Sequence, residues 1–312
     1  MGISFKLGIF KPETFISVRE CPIVQLILLA NAFADFEGRS EASNVLWWLS
    51  PFQYDRKHID VLSKRISGTG IWLLQTQQFR DWRYEADSKR YIWCYGGPGT
   101  GKTVLTYGRI IAIILCLLAN EINSSSVVDE LMATDSEDVG VAYMYCDYAD
   151  KDNQTAENIM ASLVKQLSLR KPSTLDHIQN LYEQCGSGKA KPGVTKLTET
   201  LRNLCTVYKR IYIVIDALNE CDEESRKLLL AQFEKVDHST VRIFLTSRPH
   251  LIEMQRKYDE FPQIEITAKD SDIREFILNN IKEKDNLLEL IEDTAQLKEK
   301  IITAITSKAN GM

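Results

Sequence analysis

Five short runs rich in β-branched and aromatic residues punctuate the middle of the chain: RYIWCYG (90–96), VGVAYMYCDY (139–148), RIYIVIDAL (210–218), VRIFLTS (241–247) and QIEIT (263–267). They are apolar almost continuously rather than at every second position, as expected of parallel strands buried on both faces. Amphipathic stretches separate them. In NQTAENIMASLVKQL, Ile159, Leu163 and Leu167 recur every four residues with Met160 and Val164 beside them; in TKLTETLRNLCTVY, Leu197, Leu201, Leu204 and Tyr208 form one stripe. Strands alternating with helices predict an α/β fold, a mostly parallel sheet between two helical layers. Upstream, from NVLWWLSPF to FRDWRYEADSKR, the pattern is helical, with breaks at Pro51 and at Ser67–Gly70. Downstream, SDIREFILNNI and LKEKIITAITSKA are again helical. NSSSVVDELMATDSED (123–138) and GSGKAKPG (186–193) read as loops. The expected division is an unassigned leader over 1–45, a helical segment over 46–90, the α/β core over 91–268 and the start of a helical domain over 269–312.

Composition narrows the partners. The 312 residues carry 38 basic and 43 acidic side chains, a formal net charge of −5, so no global basic field invites nucleic acid. Seven dispersed cysteines show no CxxC pair and no zinc spacing, which reads as reduced core thiols of an intracellular protein, and the four histidines are equally scattered. The apolar stretches Ile23–Ala34 and Ile110–Ala119 fall short of the ~20 residues that span a bilayer. MGISFK starts like a myristoylation site, but Lys6 stands where serine or threonine is wanted. These features predict a cytoplasmic protein with no membrane span.

The chemistry-bearing motif lies between the first strand run and a long apolar helix pattern. Gly96, Gly97, Pro98, Gly99, Thr100, Gly101, Lys102 and Thr103 match G-x-x-x-x-G-K-[ST] in full. Glycines let the backbone turn its N–H groups onto phosphate, and the N-terminus of the following helix adds to the same anion hole. Lys102 is then placed for the β- and γ-phosphates, and the Thr103 hydroxyl for Mg²⁺. The third strand run ends in Asp216, with Glu220 four residues on. Beside a phosphate loop, Asp216 suits Mg²⁺ and Glu220 suits a hydrolytic water; a buried strand followed by a solvated acidic turn is the plain alternative. The fourth run ends in Thr246-Ser247-Arg248 before Pro249. At the carboxyl edge of a parallel sheet that guanidinium faces the ligand crevice and suits a γ-phosphate; pairing with a surface carboxylate is the other use for it.

Together these elements resemble the NACHT class of STAND P-loop NTPases, and more narrowly the nephrocystin-3-like N-terminal domain of fungal NOD-like receptors. GTGIWLLQTQQFRDW, YCDYADKDNQTAENIMASLVKQL, VIDALNECDE, FLTSRPH and DIREFILNNI follow the family order. The resemblance implies a three-layer P-loop NTPase fold and a switch that binds ATP or GTP with Mg²⁺, rests as the ADP or GDP form and hydrolyses slowly. It also implies self-association with like domains or engagement of other signalling proteins. By motif match it gives Gly96 to Thr103 the phosphates, Asp216 the Mg²⁺, Glu220 the water and Arg248 a sensor role. In place of the usual second aspartate of Asp-Ala-Leu-Asp-Glu stands Asn219, which can hydrogen-bond but is no base; this predicts impaired hydrolysis. The chain ends at KANGM where relatives continue into further helices and repeats, so the expectation is a nucleotide module without obvious input or output. Two alternatives stay open: a nucleotide-stabilised scaffold without turnover, and another P-loop enzyme such as a nucleotide kinase or motor ATPase.

Overall fold

The computed structural model describes residues 41–65, 69–96, 123–134, 136–236, 239–249, 251, 254, 261–267, 269–282, 298–300, 302–304 and 306. All five apolar runs are strands: β1 Tyr91–Tyr95, β2 Val139–Tyr145, β3 Arg210–Asp216, β4 Val241–Ser247 and β5 Gln263–Glu265. They form one sheet in the order β2-β3-β4-β1-β5, and every neighbouring pair is parallel. After β1 the chain crosses to the far edge, steps back through β3 and β4, and then passes over β1 to β5. The carboxyl ends of β3, β4 and β1 therefore lie side by side, where an open parallel sheet places its ligand crevice.

The described helices are α1 Glu41–Leu49, α2 Tyr54–Lys64, α3 Ile71–Gln75, α4 Gln77–Tyr84, α5 Ala156–Arg170, α6 Leu175–Gln184, α7 Val194–Val207, α8 Glu223–Lys235 and α9 Asp270–Lys282. Residues 298–300, 302–304 and 306, within LKEKIITAITSKA, are helical as well. Successive strand side chains go to opposite faces, and this alternation builds two cores. One takes Trp93, Ile213, Ile215, Ile243 and Leu245 from the sheet, and packs them against α1, α5, α6, α7 and α8 through residues such as Leu49, Leu163, Leu181, Leu201 and Phe233. The other takes Ile92, Cys94, Tyr143, Val214 and Phe244, and packs them against Val61, Leu73, Phe79 and Trp82 of α2 to α4. The three-layer expectation holds, with a sheet parallel throughout.

One expected loop is corrected. Residues 123–132, inside NSSSVVDELMATDSED, are helical. Val127, Val128 and Leu131 are fully buried in the second core, and Asn123 to Ser126 are buried as well. The serine run and the acidic residues leave few apolar positions to mark the buried face; packing against the sheet outweighs serine's weak helix propensity. The segment GSGKAKPG is irregular as expected. Among the described residues no helix is long and apolar enough to cross a membrane.

Candidate functional site

The apolar run Ile211–Ile215 commits β3 to the sheet interior, and the first polar residue after it, Asp216, is carried to the strand's carboxyl end still buried, at 1% exposure. A buried carboxylate needs donors. Thr246, from the end of β4, donates its hydroxyl to Asp216 Oδ1 at 2.7 Å. Ser124 Oγ, from the helical segment 123–132, donates to the same oxygen. The Thr246 hydroxyl in turn accepts Ala217 N–H at 2.8 Å. Ala217 turns the chain sharply with a left-handed backbone (φ 52°, ψ 44°), which starts the 3₁₀ turn Leu218–Glu220. On the other side, Cys146 N–H donates to the Asp216 carbonyl at 3.0 Å and so extends the β2–β3 ladder by one residue. The Cys94 thiol, near the end of β1, is pushed up first by burial and then by the negative charge of Asp216.

β1 ends beside β4. Gly96 N–H donates to the Ser247 carbonyl at 3.3 Å, and the Trp93 indole donates to Ser247 Oγ at 2.9 Å. The first residue of the glycine motif therefore stands at the same sheet edge as Asp216. Gly97 to Thr103, including Lys102, lie outside the described residues.

The remaining predicted residues, Glu220 and Arg248, form a small triangle with Asn219. Arg248 N–H donates to Asn219 Oδ1 at 3.0 Å, the Asn219 amide donates to Glu220 Oε1 at 2.7 Å, and the Arg248 guanidinium meets Glu220 Oε1 at 3.2 Å. Arg248 thus pairs with a carboxylate, as the plainer reading allowed, but that carboxylate is Glu220 itself. The Arg248 side chain is 53% exposed and that of Glu220 22%. The pair is thus partly screened and contributes at most about 1 kcal/mol.

The structure brings Gly96, Asp216, Glu220 and Arg248 to one edge. It adds three residues that the sequence pattern alone does not place there. Thr246 was visible as a hydroxyl at the penultimate position of a strand, but nothing marked it as the donor to Asp216. Asn219 was noticed only as a departure, whereas its amide joins Arg248 to Glu220. Ser124 had no readable signal, being 92 residues from Asp216 in a stretch that looked like a loop. Among the described residues, no cluster of three or more metal-ligating side chains occurs. Asp216 with hydroxyls around it is a set of hard oxygens, the donor type Mg²⁺ takes when phosphates and water supply the rest.

The sequence model of the family described as nephrocystin 3, N-terminal, matches residues 68–113 and 121–248, more than half of the 312 residues. Those ranges hold the whole glycine motif, Asp216, Glu220 and Arg248. The vegetative incompatibility protein HET-E-1 of Podospora anserina is 24% identical over 277 residues, which cover 83% of this chain and 18% of that protein. The chain thus spans less than a fifth of the length of the curated relative it matches. Among solved structures, Drosophila ORC bound to DNA aligns over 86% of this chain and 57% of its own, at 13% identity and a TM-score of 0.36. C. elegans PCH-2 aligns over 58% and 49%, at 14% identity and a TM-score of 0.23.

Proposed function

The chain belongs to the nephrocystin 3 N-terminal family, and from that membership we propose that it is a NACHT-type nucleotide switch that binds ATP or GTP and hydrolyses it slowly. The observation that carries the reading is the convergence of three strand ends. Gly96 at β1, Asp216 at β3 and Thr246 to Arg248 at β4 meet at the crevice edge of a parallel sheet. In this reading Gly96 to Thr103 cradle the phosphates and Lys102 donates to the β- and γ-phosphates. Asp216 and Thr103 are the residues that would hold Mg²⁺, which neutralises phosphate charge when bound. Thr246 and Ser124 keep the Asp216 carboxylate pointed and solvated by protein rather than water. Glu220 orients or deprotonates the attacking water. Self-association with like domains and a cytoplasmic site of action belong to the same proposal.

The second reading, a nucleotide-stabilised scaffold without turnover, is favoured by the triangle at Glu220. A base whose Oε1 is tethered by both an amide and a guanidinium is less free to reach an attacking water. Asn219→Asp discriminates between the two. It keeps an acceptor for Arg248 N–H, but replaces the amide that holds Glu220 with a carboxylate that repels it. Steady-state hydrolysis is expected to rise roughly tenfold, below the 10²–10⁴ that a positioned base contributes in full. A rate unchanged or lowered in well-folded protein would show that the tether is not the brake.

The test of the switch itself is calorimetric titration of the parent and Arg248→Ala with Mg²⁺-triphosphate and Mg²⁺-diphosphate. The parent is expected to bind both. The variant should lose roughly fivefold on the triphosphate alone, about 1 kcal/mol for a half-exposed charge that must leave or share Glu220. An equal loss on both nucleotides would make Arg248 a structural residue, and no binding by the parent would overturn the reading outright.

A further inference from the structure

Cys146 directly follows β2 and Cys221 caps the 3₁₀ turn after β3; they are 75 positions apart in sequence, and their sulfurs lie 3.1 Å from each other. Both residues are buried, at 6% and 4% exposure. Among the described residues no other cysteine sulfur contacts a second one; Cys94, Cys185 and Cys205 are each buried apart. The two backbones are also fixed. Cys146 N–H is bonded to the Asp216 carbonyl, and Cys221 N–H closes the 3₁₀ turn onto Leu218 O at 3.4 Å. Arg226 donates to the Cys221 carbonyl at 3.1 Å. A disulfide needs sulfurs about 2.05 Å apart, so closure asks for a movement of about 1 Å rather than a refolding.

A cavity of about 200 Å³ opens beside Tyr145 and Asp147 and is lined also by Gln154. It does not include Asp216, Glu220 or Arg248, so it is separate from the nucleotide edge. Gln154 Oε1 lies 3.9 Å from Cys221 Sγ, so this side chain borders both the cavity and the thiol pair. A molecule the size of hydrogen peroxide fits such a space, since water takes about 30 Å³ in the liquid.

We infer that Cys146 and Cys221 form a reversible disulfide site, closed by a small peroxide, that staples the turn carrying Asn219 and Glu220 to the end of β2. One thiol, as its thiolate, attacks a peroxide oxygen; the O–O bond breaks, and sulfenic acid and water result. The second sulfur attacks the sulfenic sulfur; the S–S bond forms, the S–O bond breaks, and hydroxide leaves with the second thiol proton as water. Two electrons pass from the sulfurs to the peroxide, and a dithiol reductant returns them. Once formed, the bond fixes the residue next to Glu220 and prevents that turn from adjusting. The effect on turnover rests on the nucleotide reading above; the bond itself does not.

The full chain, reduced and folded, is treated with hydrogen peroxide, blocked with a thiol reagent, digested and analysed by mass. The expected product is a peptide pair joined through Cys146 and Cys221, reversed by dithiothreitol, with Cys94, Cys185 and Cys205 still blocked as free thiols. Hydrolysis by the joined form is expected to fall severalfold and to recover on reduction. Cys146→Ala should keep the parent's turnover and lose its response to peroxide; Cys146→Ser serves where alanine disturbs the core, and the comparison of reduced and oxidised parent needs no variant. No joined peptide in folded protein, or sulfinic acid at Cys221 in its place, overturns the site. A joined form that turns over like the reduced one overturns the control of turnover. If the reduced parent binds no nucleotide, the nucleotide reading fails by that measurement while the mass result still decides the disulfide.

Discussion

Lys102→Ala is expected to weaken triphosphate binding between roughly tenfold and a hundredfold, with the melting profile of the chain alone unchanged. A hydrogen bond to a charged group is worth about 1.5–3 kcal/mol, and about 1.4 kcal/mol makes a decade in affinity. Removing one ammonium aimed at phosphate oxygens therefore gives that range. The lysine is assigned by its place in G-x-x-x-x-G-K-T, and Gly96, which opens the motif, is pinned to Ser247 at the sheet edge. Diphosphate affinity should fall as well, because the same group reaches the β-phosphate; this separates it from Arg248→Ala. Titration that returns the parent's affinity for the variant would remove the phosphate loop from the proposal.

What could be read in advance, and what could not, follows from the range of each interaction. The strands were legible because each is a local run whose apolar character is set by burial on two faces, and Val241–Ser247 was found to the residue. Their order was not. Nothing local says that β4 lies between β3 and β1, since that depends on crossovers tens of residues long. The candidate site was legible where its residues sit at strand ends, as Asp216 and Arg248 do. It was not legible where chemistry is completed across the fold. Ser124 meets Asp216 only because residues 123–132 are helical and buried, and a run of serines advertises neither. Asn219 illustrates a different limit. As a sequence letter it is a lost carboxylate, while in the fold it is a donor to Glu220 and an acceptor for Arg248.

Trp82→Ala is expected to destabilise the chain by about 3–5 kcal/mol, the cost of deleting a large buried aromatic and leaving a cavity. Trp82 lies in α4, before the first strand, and is fully buried. Its ring packs against Phe79, Tyr212 and Phe244, with centroids 5.6, 5.4 and 6.0 Å away. Its indole N–H donates to Arg90 O at 3.2 Å, next to β1, and Tyr212 of β3 donates to Arg83 O at 2.9 Å from the same helix. One side chain thus joins α4 to β3, β4 and the residue before β1, and the loss is a large share of the 5–15 kcal/mol that native domains hold in total. Tyr84, two residues on and 65% exposed, supplies the control: Tyr84→Ala should change stability by no more than about 0.5 kcal/mol. Both variants are measured by denaturant unfolding without nucleotide, since a ligand that binds only the folded chain raises apparent stability by mass action. A midpoint for Trp82→Ala no lower than that of Tyr84→Ala would mean that α4 is appended to the sheet rather than part of its core. A fall of the expected size would make α4 integral to the sheet core, so that α4 and the strands it packs against unfold as one cooperative unit.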